Sequence, residues 1–226
     1  MTDSSMPFPG PIPSMNQDPG ASQDLASSTP GASSTPGASS TLGTLPSPIV
    51  LRHSNDEDVP AMLDIYRHHI GHGVGNLGTF VPTPFDIEDL KARRKNMRKH
   101  KLPHLVATID GVVVGYAYAV LFRKRPAYRF TVKHSIYIHP DRLHRGIGRA
   151  LLPALIQECA AAGFRQMIGY VDSSNVASLR LHEACGFRQV GYLAAVAFRF
   201  GKWTDTVMLQ RAIGPEGGQE ECTHKP

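Results

Sequence analysis

The chain has 226 residues, of which 41% are hydrophobic, so it is long enough for one well-packed core and too short for two large domains. Its formal net charge is +5, and no apolar run is long enough to cross a bilayer. The first residues lack a basic stretch followed by an apolar core, so we expect no secretory signal, no membrane partner and a cytoplasmic location.

The three cysteines, Cys159, Cys185 and Cys222, are scattered along the chain. They have neither the short spacing of a redox motif nor the Cys/His spacing of a metal site. We therefore expect no metal, and we interpret the cysteines as two small buried hydrophobes and one thiol in a tail.

The two ends of the chain differ in composition from its middle. Residues 1–48 contain no Lys or Arg and repeat the hexad Ala-Ser-Ser-Thr-Pro-Gly, whose last copy has leucine for proline. Such a segment cannot bury enough apolar surface to become ordered, so we predict a disordered Ser/Pro/Gly-rich tail, either a passive spacer or a regulatory segment. A second disordered tail is predicted at residues 212–226.

The folded domain is then predicted at residues 49–211. This part holds 23 of the 24 basic residues and 13 of the 19 acidic residues, a surplus of +10. Such a charge favours polyanionic ligands, either a nucleotide cofactor or a nucleic acid.

The first predicted elements are a strand at residues 49–52 and a helix capped by Ser54 or Asn55, whose apolar residues continue at helical spacing to Ile70. A second helix is predicted to start at residues 83–84, where a threonine precedes a proline. Its basic run is interpreted as a solvated helix face, with a grip on nucleic acid as the alternative.

The dipeptide Asp110-Gly111, between two apolar runs, predicts a β-hairpin. The pattern then predicts the following elements: strands at 105–109, 112–121 and 128–138, a helix at 146–163, a strand at 165–171, a helix at 175–184, and strands at 187–198 and 203–210. The whole set is an α+β fold, with seven strands in a mixed, mostly antiparallel sheet flanked by four helices.

The most informative segment lies where the strand that stops at Pro140 gives way to the next helix. The turn between them contains Gly146-Ile147-Gly148. Glycine has no Cβ, so backbone amides can approach a phosphate closely here, and the new helix directs its free amides and positive dipole end at the same place. The pattern favours a diphosphate ligand, although such glycines also form plain tight turns.

Five groups of residues together resemble the GCN5-related N-acetyltransferase (GNAT) superfamily, closest to its phosphinothricin and methionine sulfoximine acetyltransferase group. They are Thr131-Val132, Tyr137, Gly146-x-Gly148, the string from Asn175 to Phe187, and Gly201-x-Trp203-x-Asp205. The resemblance covers residues 49–211. It implies acetyl-CoA as co-substrate, a small-molecule amine as acceptor, and no nucleic acid as partner. It is also compatible with a homodimer that pairs through the last strands.

The resemblance implies three groups of contacts with acetyl-CoA. The edge of a strand would pair with the pantetheine arm, the glycine turn would bind the diphosphate, and an asparagine would bond the arm. The residues concerned are Ile136, Tyr137, Ile138, His144, Arg145, Gly146, Ile147, Gly148, Arg149 and Asn175. Asn175 is equally interpreted as a helix N-cap, and Tyr137 as a core residue. Leu143 stands where the family usually has Gln or Arg.

The catalytic residues implied by the resemblance are His182, His134 and Lys133. Lys133 stands where relatives have a glutamate base, and it could act as a base only if its pKa were lowered. His134 next to it would suit the task if a β-bulge turned it to the same side. His182 would donate a proton to the departing thiolate or act as a base through water. The alternatives are packing histidines and an acceptor that is already neutral.

Four residues match positions that line the acceptor site of relatives: Tyr118, Arg125, Tyr128 and Trp203. Ordinary sheet packing is the alternative for Tyr118 and Trp203, and the loop at residues 76–80 lacks the aromatic and the basic residue expected directly after Asn76. We expect an acetyl-CoA-dependent N-acetyltransferase that acts on a small primary amine, amino-acid-like or a secondary metabolite, by direct transfer. The alternatives are a protein lysine as acceptor, a non-catalytic acetyl-CoA sensor, and a nucleic-acid binder.

Overall fold

The computed structural model describes residues 47–71, 86–199 and 201–214. The hexad repeat, Cys222 and the loop at residues 76–80 lie outside the described residues, as does nearly all of each predicted tail. No described helix has the length and apolar character that crossing a membrane requires.

Seven strands form one sheet in the described part of the chain, in the order β1-β2-β3-β4-β5-β7-β6. The strands are β1 (Val50–His53), β2 (His104–Ile109), β3 (Val112–Leu121), β4 (Thr131–Ile138), β5 (Gln166–Asp172), β6 (Arg188–Arg199) and β7 (Lys202–Ala212). Neighbouring strands are antiparallel except β4 and β5, which are parallel.

Four α-helices flank this sheet among the described residues. They are α1 (Val59–Gly71), α2 (Ile87–Lys99), α3 (Ile147–Ala161) and α4 (Val176–Ala184). The predicted α+β class, strand number, mixed sheet and helix number are therefore confirmed.

Several local predictions hold because a single residue determines the backbone. Asp110 and Gly111 have φ angles of 51° and 79°, as a two-residue hairpin turn with the right twist requires. Asn175 caps α4 by accepting a hydrogen bond from the Ser178 amide at 3.0 Å.

Two predicted starts are wrong. The second helix begins at Ile87, where Asp86 accepts a hydrogen bond from the Asp89 amide at 2.8 Å. The fourth strand begins at Thr131, because Pro126–Tyr128 forms a separate 3₁₀ turn with the proline at its first position. At the carboxyl end, the folded part extends beyond residue 211, since β7 includes Ala212 and the next residue is buried.

The two faces of the sheet carry different side chains, because residues alternate along each strand. Tyr116 pairs with Tyr137 across β3 and β4, and both lie on the face covered by α1, where Tyr66 meets Tyr137 at 5.9 Å. Gly115 and His134 belong to the opposite face, which packs against α3 and α4.

The sheet opens between its two parallel strands. Residues 131–133 of β4 pair with residues 166–168 of β5, and the pairing ends there. Beyond that point β4 continues beside β3 as far as Ile138, whereas β5 continues beside β7 as far as Asp172. The diverging strands leave a wedge-shaped cleft, which we call the wedge.

Candidate active site

The wedge is a cleft of about 380 Å³, including its open mouth. Its lining comes from β4, β5 and the start of α4: His134, Ser135, Ile136, Gly169, Tyr170, Val171, Asp172, Asn175, Ser178 and His182. Four residues predicted from the sequence thus meet in one cleft: His134, Ile136, Asn175 and His182.

The open edge of β4 presents backbone groups to the wedge. His139 donates to the carbonyl of Val114 at 2.9 Å, and Phe122 donates to the carbonyl of Thr131 at 3.0 Å, so the odd-numbered residues of β4 bond to β3. Because the direction of the bonds alternates along an antiparallel strand, the N–H and C=O of Ile136 and Ile138 face the other way. These two residues can therefore pair with an extended ligand.

Tyr137 lies between them and faces the core. Its side chain is 1% exposed and stacks on Tyr116 with ring centroids 4.9 Å apart. The carbonyl of Ile138 already accepts a hydrogen bond from His69 Nε2 at 2.8 Å. The core interpretation of the Tyr137 side chain thus fits the structure, and its predicted backbone pairing does not, because alternation turns its N–H and C=O toward β3.

The start of α3 has the conformation that the glycine turn predicts. Gly146 is the N-cap with φ +79°, a left-handed conformation that disfavours side chains, and a Cβ there would meet no atom within 4 Å. The first helical bond runs from the Ala150 amide to the Gly146 carbonyl at 3.0 Å, so the amides of residues 147–149 precede the ladder. The side chains of His144, Arg145 and Arg149 are exposed around them.

Gly148 has a second structural role. A Cβ at this position would come within 3.0 Å of Leu181 Cδ2, so the glycine lets α4 pack closely against α3. One glycine of the pair therefore shapes the turn, and the other lets α3 pack closely against α4, the helix that lines the wedge.

Two histidines face each other in the wedge. His134 Nε2 and His182 Nε2 are 2.9 Å apart. His134 Nδ1 lies 3.1 Å from the carbonyl oxygen of Ile168, and His182 Nδ1 lies 2.7 Å from that of Ser178. Both rings contact Phe187, at centroid distances of 5.3 and 5.1 Å.

Burial dominates the electrostatics of this pair. Desolvation lowers the pKa of His134 to about 3, assisted by the His182 charge and opposed by the carbonyl of Ile168. Desolvation likewise lowers the pKa of His182, opposed by the carbonyl of Ser178. Both groups therefore give up protons readily.

Sequence reasoning missed Gly169, which makes room for the two rings. A Cβ on this β5 residue would lie 3.2 Å from His134 Cε1 and 3.4 Å from His182 Nε2. A glycine inside a strand signals a bulge or a close approach, so the sequence carried a signal at this position. Ser178 and Asp172 were also missed, since neither stands out in the sequence.

The predicted bulge beside His134 is wrong. The register between β3 and β4 is continuous from Gly115–Ile138 to Leu121–Val132. Lys133 and His134 consequently lie on opposite faces, and Lys133 is exposed on the face of α1 and α2. His134 reaches the wedge from the face of α3 and α4 instead.

The four predicted acceptor residues are spread over different elements. Tyr118 on β3 is buried and lines a second cleft, between α1, α2 and the sheet. Arg125 and Tyr128 belong to the turn after β3. Trp203 lies on β7, is 65% exposed and contacts Phe198 with ring centroids 5.2 Å apart.

Most basic residues of α2 are exposed, but Lys91 is half-buried and Arg94 is buried. Arg94 is 6% exposed, donates to the carbonyl of Ser54 at 2.8 Å and pairs with Asp56. Burial lowers its pKa. This arginine is therefore a structural tie between α2 and the segment before α1.

Comparisons with known proteins agree with this geometry. The model of the acetyltransferase (GNAT) family matches residues 72–187. The phosphinothricin N-acetyltransferase of Alcaligenes faecalis is 46% identical over 164 residues, which cover 72% of this chain and 82% of that protein. The L-methionine sulfoximine/L-methionine sulfone acetyltransferase of Salmonella typhimurium is 30% identical over 174 residues, which cover 77% of this chain and all of that protein.

A solved structure shares the fold. The GNAT superfamily phosphinothricin acetyltransferase of Sinorhizobium meliloti, in complex with acetyl-CoA, superposes with a TM-score of 0.70 at 38% identity, covering 79% of this chain and 92% of that one. The predicted family, enzyme class and co-substrate are thereby confirmed. The chain belongs to the GNAT family, the acetyltransferases that use acetyl-CoA as co-substrate.

Proposed function

We propose that this acetyltransferase moves the acetyl group directly from acetyl-CoA to the amino group of a small primary amine, amino-acid-like or a secondary metabolite, while both are bound. The observation that carries the proposal is the wedge, which is lined by two histidines and by α4, the helix that packs against the first turn of α3 at Gly148.

The wedge offers the parts that acetyl-CoA would need. The backbone of Ile136 and the N–H of Ile138 would pair with the amides of the pantetheine arm, as an added strand does. The amides of residues 147–149 would hold the diphosphate, with Arg145 and Arg149 nearby to compensate its charge. His144 lies just before the glycine turn, close to the proposed diphosphate site, and Asn175 lines the wedge, where the pantetheine arm would lie.

The cysteines support direct transfer. Cys159 is fully buried, and burial together with the nearby Glu158 raises its pKa to about 12, so its thiol stays protonated. Cys185 is half-buried and does not line the wedge. Within the described residues no cysteine is therefore placed to carry the acetyl group, and the amine would attack the thioester itself.

His182 is the residue that we assign to the departing thiolate. Its Nδ1 faces a carbonyl oxygen and must donate, which leaves Nε2 as the nitrogen that can exchange a proton in the wedge. Proton delivery of this kind typically contributes about 10²–10⁴-fold to a rate.

The acceptor would approach from the face of α1 and α2. Tyr118 lines the cleft on that face together with Tyr66 and Arg93, and the exposed Lys133 adds positive charge. Arg125 and Tyr128, in the turn after β3, would complete the acceptor site, with Trp203 as an outlying candidate. This distribution of charge supports an acceptor that carries an acidic group.

The test is thiol release from acetyl-CoA across a panel of amines that includes phosphinothricin, methionine sulfoximine and the common amino acids. We expect amine-dependent release, with the best rates for amino acids or their analogues. No release with any amine, at acetyl-CoA concentrations that stabilise the protein against heat, would overturn the proposal.

A non-catalytic acetyl-CoA sensor is the second candidate, and Lys133 is the observation that favours it. The resemblance to the family implies a glutamate base at this position, and an exposed lysine is not an equivalent proton acceptor. The Lys133→Glu variant separates the two candidates. Turnover that arises only in the variant would indicate a sensor, whereas wild-type turnover excludes it.

We also propose that two copies of the chain pair through β6 and β7. Both strands expose large apolar side chains, among them Val196, Phe198 and Trp203. Light scattering should give twice the chain mass, and Trp203→Glu should give the single mass.

A further inference from the structure

The two histidines of the wedge have one proton fewer than their contacts require. Each Nδ1 faces a backbone carbonyl, which can only accept, so each Nδ1 carries a proton. The two Nε2 atoms are 2.9 Å apart, a hydrogen-bond distance that requires one proton between them. Three contacts therefore need three protons, whereas two neutral rings have two.

Every neutral arrangement of the pair leaves one unfavourable contact. If both Nδ1 atoms keep their protons, two Nε2 lone pairs face each other. If one ring moves its proton to Nε2, its Nδ1 lone pair faces a carbonyl oxygen instead. At His182 the Ser178 hydroxyl is also near Nδ1, but at 3.4 Å it is longer than an ordinary hydrogen bond and does not offset the carbonyl at 2.7 Å. A third proton satisfies all contacts at once, at the expense of placing a positive charge in a buried site.

No neighbouring charged group among the described residues decides whether the pair of rings takes up a third proton. In the described part of the chain, no carboxylate lies within ion-pair distance of either ring. The other titratable groups in the wedge are Tyr170 and Asp172 of β5, and the Asp172 carboxylate already accepts bonds from Ser174 at 2.9 and 2.6 Å. Lys133, next along β4, faces away, and Phe187 closes the site with an apolar ring.

We propose that His134 and His182 work as one unit that takes the proton of the attacking amine, holds it between their Nε2 atoms, and gives it to the departing thiolate. His182 exchanges the proton, and His134 is a positioning residue that acts through it. The unit replaces the carboxylate base that this chain lacks at Lys133. The inference rests on the proposed function, acetyl transfer to an amine.

The step balances. The amine nitrogen forms a bond to the thioester carbon and loses a proton to the histidine pair, the carbon–sulfur bond breaks, and the thiolate takes the same proton. The pair returns to its starting state with the amide and the free thiol as products. The lowered pKa values favour release of the proton to the thiolate, whereas its uptake from the amine is favoured by the three contacts that it completes.

The first test is kinetic and uses the full chain. His134→Phe and His182→Phe should each lower kcat by about 10²-fold or more, and the double variant should lose little beyond the worse single variant, because the rings act together. In His134→Phe the acid limb of the pH–rate profile should move to lower pH, since the remaining ring holds a proton less tightly. Losses that multiply, or an unmoved acid limb in His134→Phe, would overturn the proposal.

Val132→Ala is the matched control, because Val132 is fully buried on the same strand and the same face. It should lower the melting temperature and leave the pH profile unchanged. If it moved the acid limb as His134→Phe does, the shift would report loosened packing, and the proposal would fail.

The second test does not need turnover. Nitrogen-15 NMR of the imidazole side chains should show protonated Nδ1 in both rings and a single shared titration. Two independent titrations, or a ring protonated at Nε2 alone, would overturn the proposal even if every variant were unstable. If the wild-type protein acetylates amines but NMR gives either of these contradicting results, only the shared proton is refuted. If the wild-type protein acetylates no amine, the proposed function is refuted, and NMR still decides whether the two rings share a proton.

Discussion

A methyl group added at Gly169 tests whether the two rings must stay in contact. The new Cβ would lie 3.2 Å from His134 Cε1 and 3.4 Å from His182 Nε2. Carbon atoms pack best at about 3.5–4.0 Å, so the rings would have to move by a few tenths of an ångström. The backbone itself tolerates alanine, because Gly169 does not have a positive φ.

The magnitude follows from that displacement. Overpacking of this kind costs about 1–3 kcal/mol of stability. The bond between the two Nε2 atoms starts at 2.9 Å and would pass beyond the ordinary hydrogen-bond range of about 3.2 Å. We therefore expect Gly169→Ala to lower kcat by about tenfold to 10²-fold, since misplacements of about 1 Å cost about 10²-fold.

The assay is thiol release with the best amine, measured together with a denaturant titration. Gly191→Ala is the matched control, because Gly191 is also a strand glycine and its added Cβ would lie 3.3 Å from the flexible Met208 side chain. It should keep wild-type turnover. If both alanine variants turned over at the same rate, contact between the rings would be irrelevant to catalysis.

Two further predictions concern binding and stability. Gly146→Ala should weaken acetyl-CoA binding measured by calorimetry, whereas Gly111→Ala should leave it unchanged. Both glycines have φ +79°, so both substitutions should cost about 1–2 kcal/mol of stability. Equal affinities of the two variants for acetyl-CoA would contradict a diphosphate site at the Gly146 turn. Burial raises the pKa of Asp58, but bonds from Arg52 and Asn55 outweigh it and leave that pKa below its ordinary value of 3.8. Its contribution to stability is thus present at neutral pH and lost as the pH falls below that value, so Asp58→Asn should destabilise the protein by about 1–3 kcal/mol at pH 7 and less in acid. An equal loss at both pH values in denaturant titrations would refute this.

Much of the fold could be predicted from the sequence because local residues determine it. The Asp110-Gly111 turn, the Asn175 cap and the Gly146 turn each depend on the conformation of one or two residues. The wrong starts of α2 and β4 have the same origin, since Asp86 competes with residues 83–84 as a cap, and Tyr128 is held in a turn that strand propensity does not register.

The histidine pair could not be predicted, because it depends on the path of three elements. His134 and His182 are 48 residues apart in the chain and meet only where β4 leaves β5 and α4 crosses the gap. Strand alternation alone would have predicted that His134 and Lys133 lie on opposite faces of the sheet, but the expected bulge led to the prediction that both lie on the same face. Arg94 is a similar case, since a basic helix face does not show which of its charges is buried.

The central claim is that the wedge holds acetyl-CoA while the amine attacks it. The most direct measurement is the initial rate over a grid of acetyl-CoA and amine concentrations, with the acetylated product identified by mass spectrometry. Direct transfer predicts reciprocal plots that intersect, with one acetylated amine formed for each thiol released. Parallel plots, together with an acetylated protein that accumulates when the amine is left out, would contradict it.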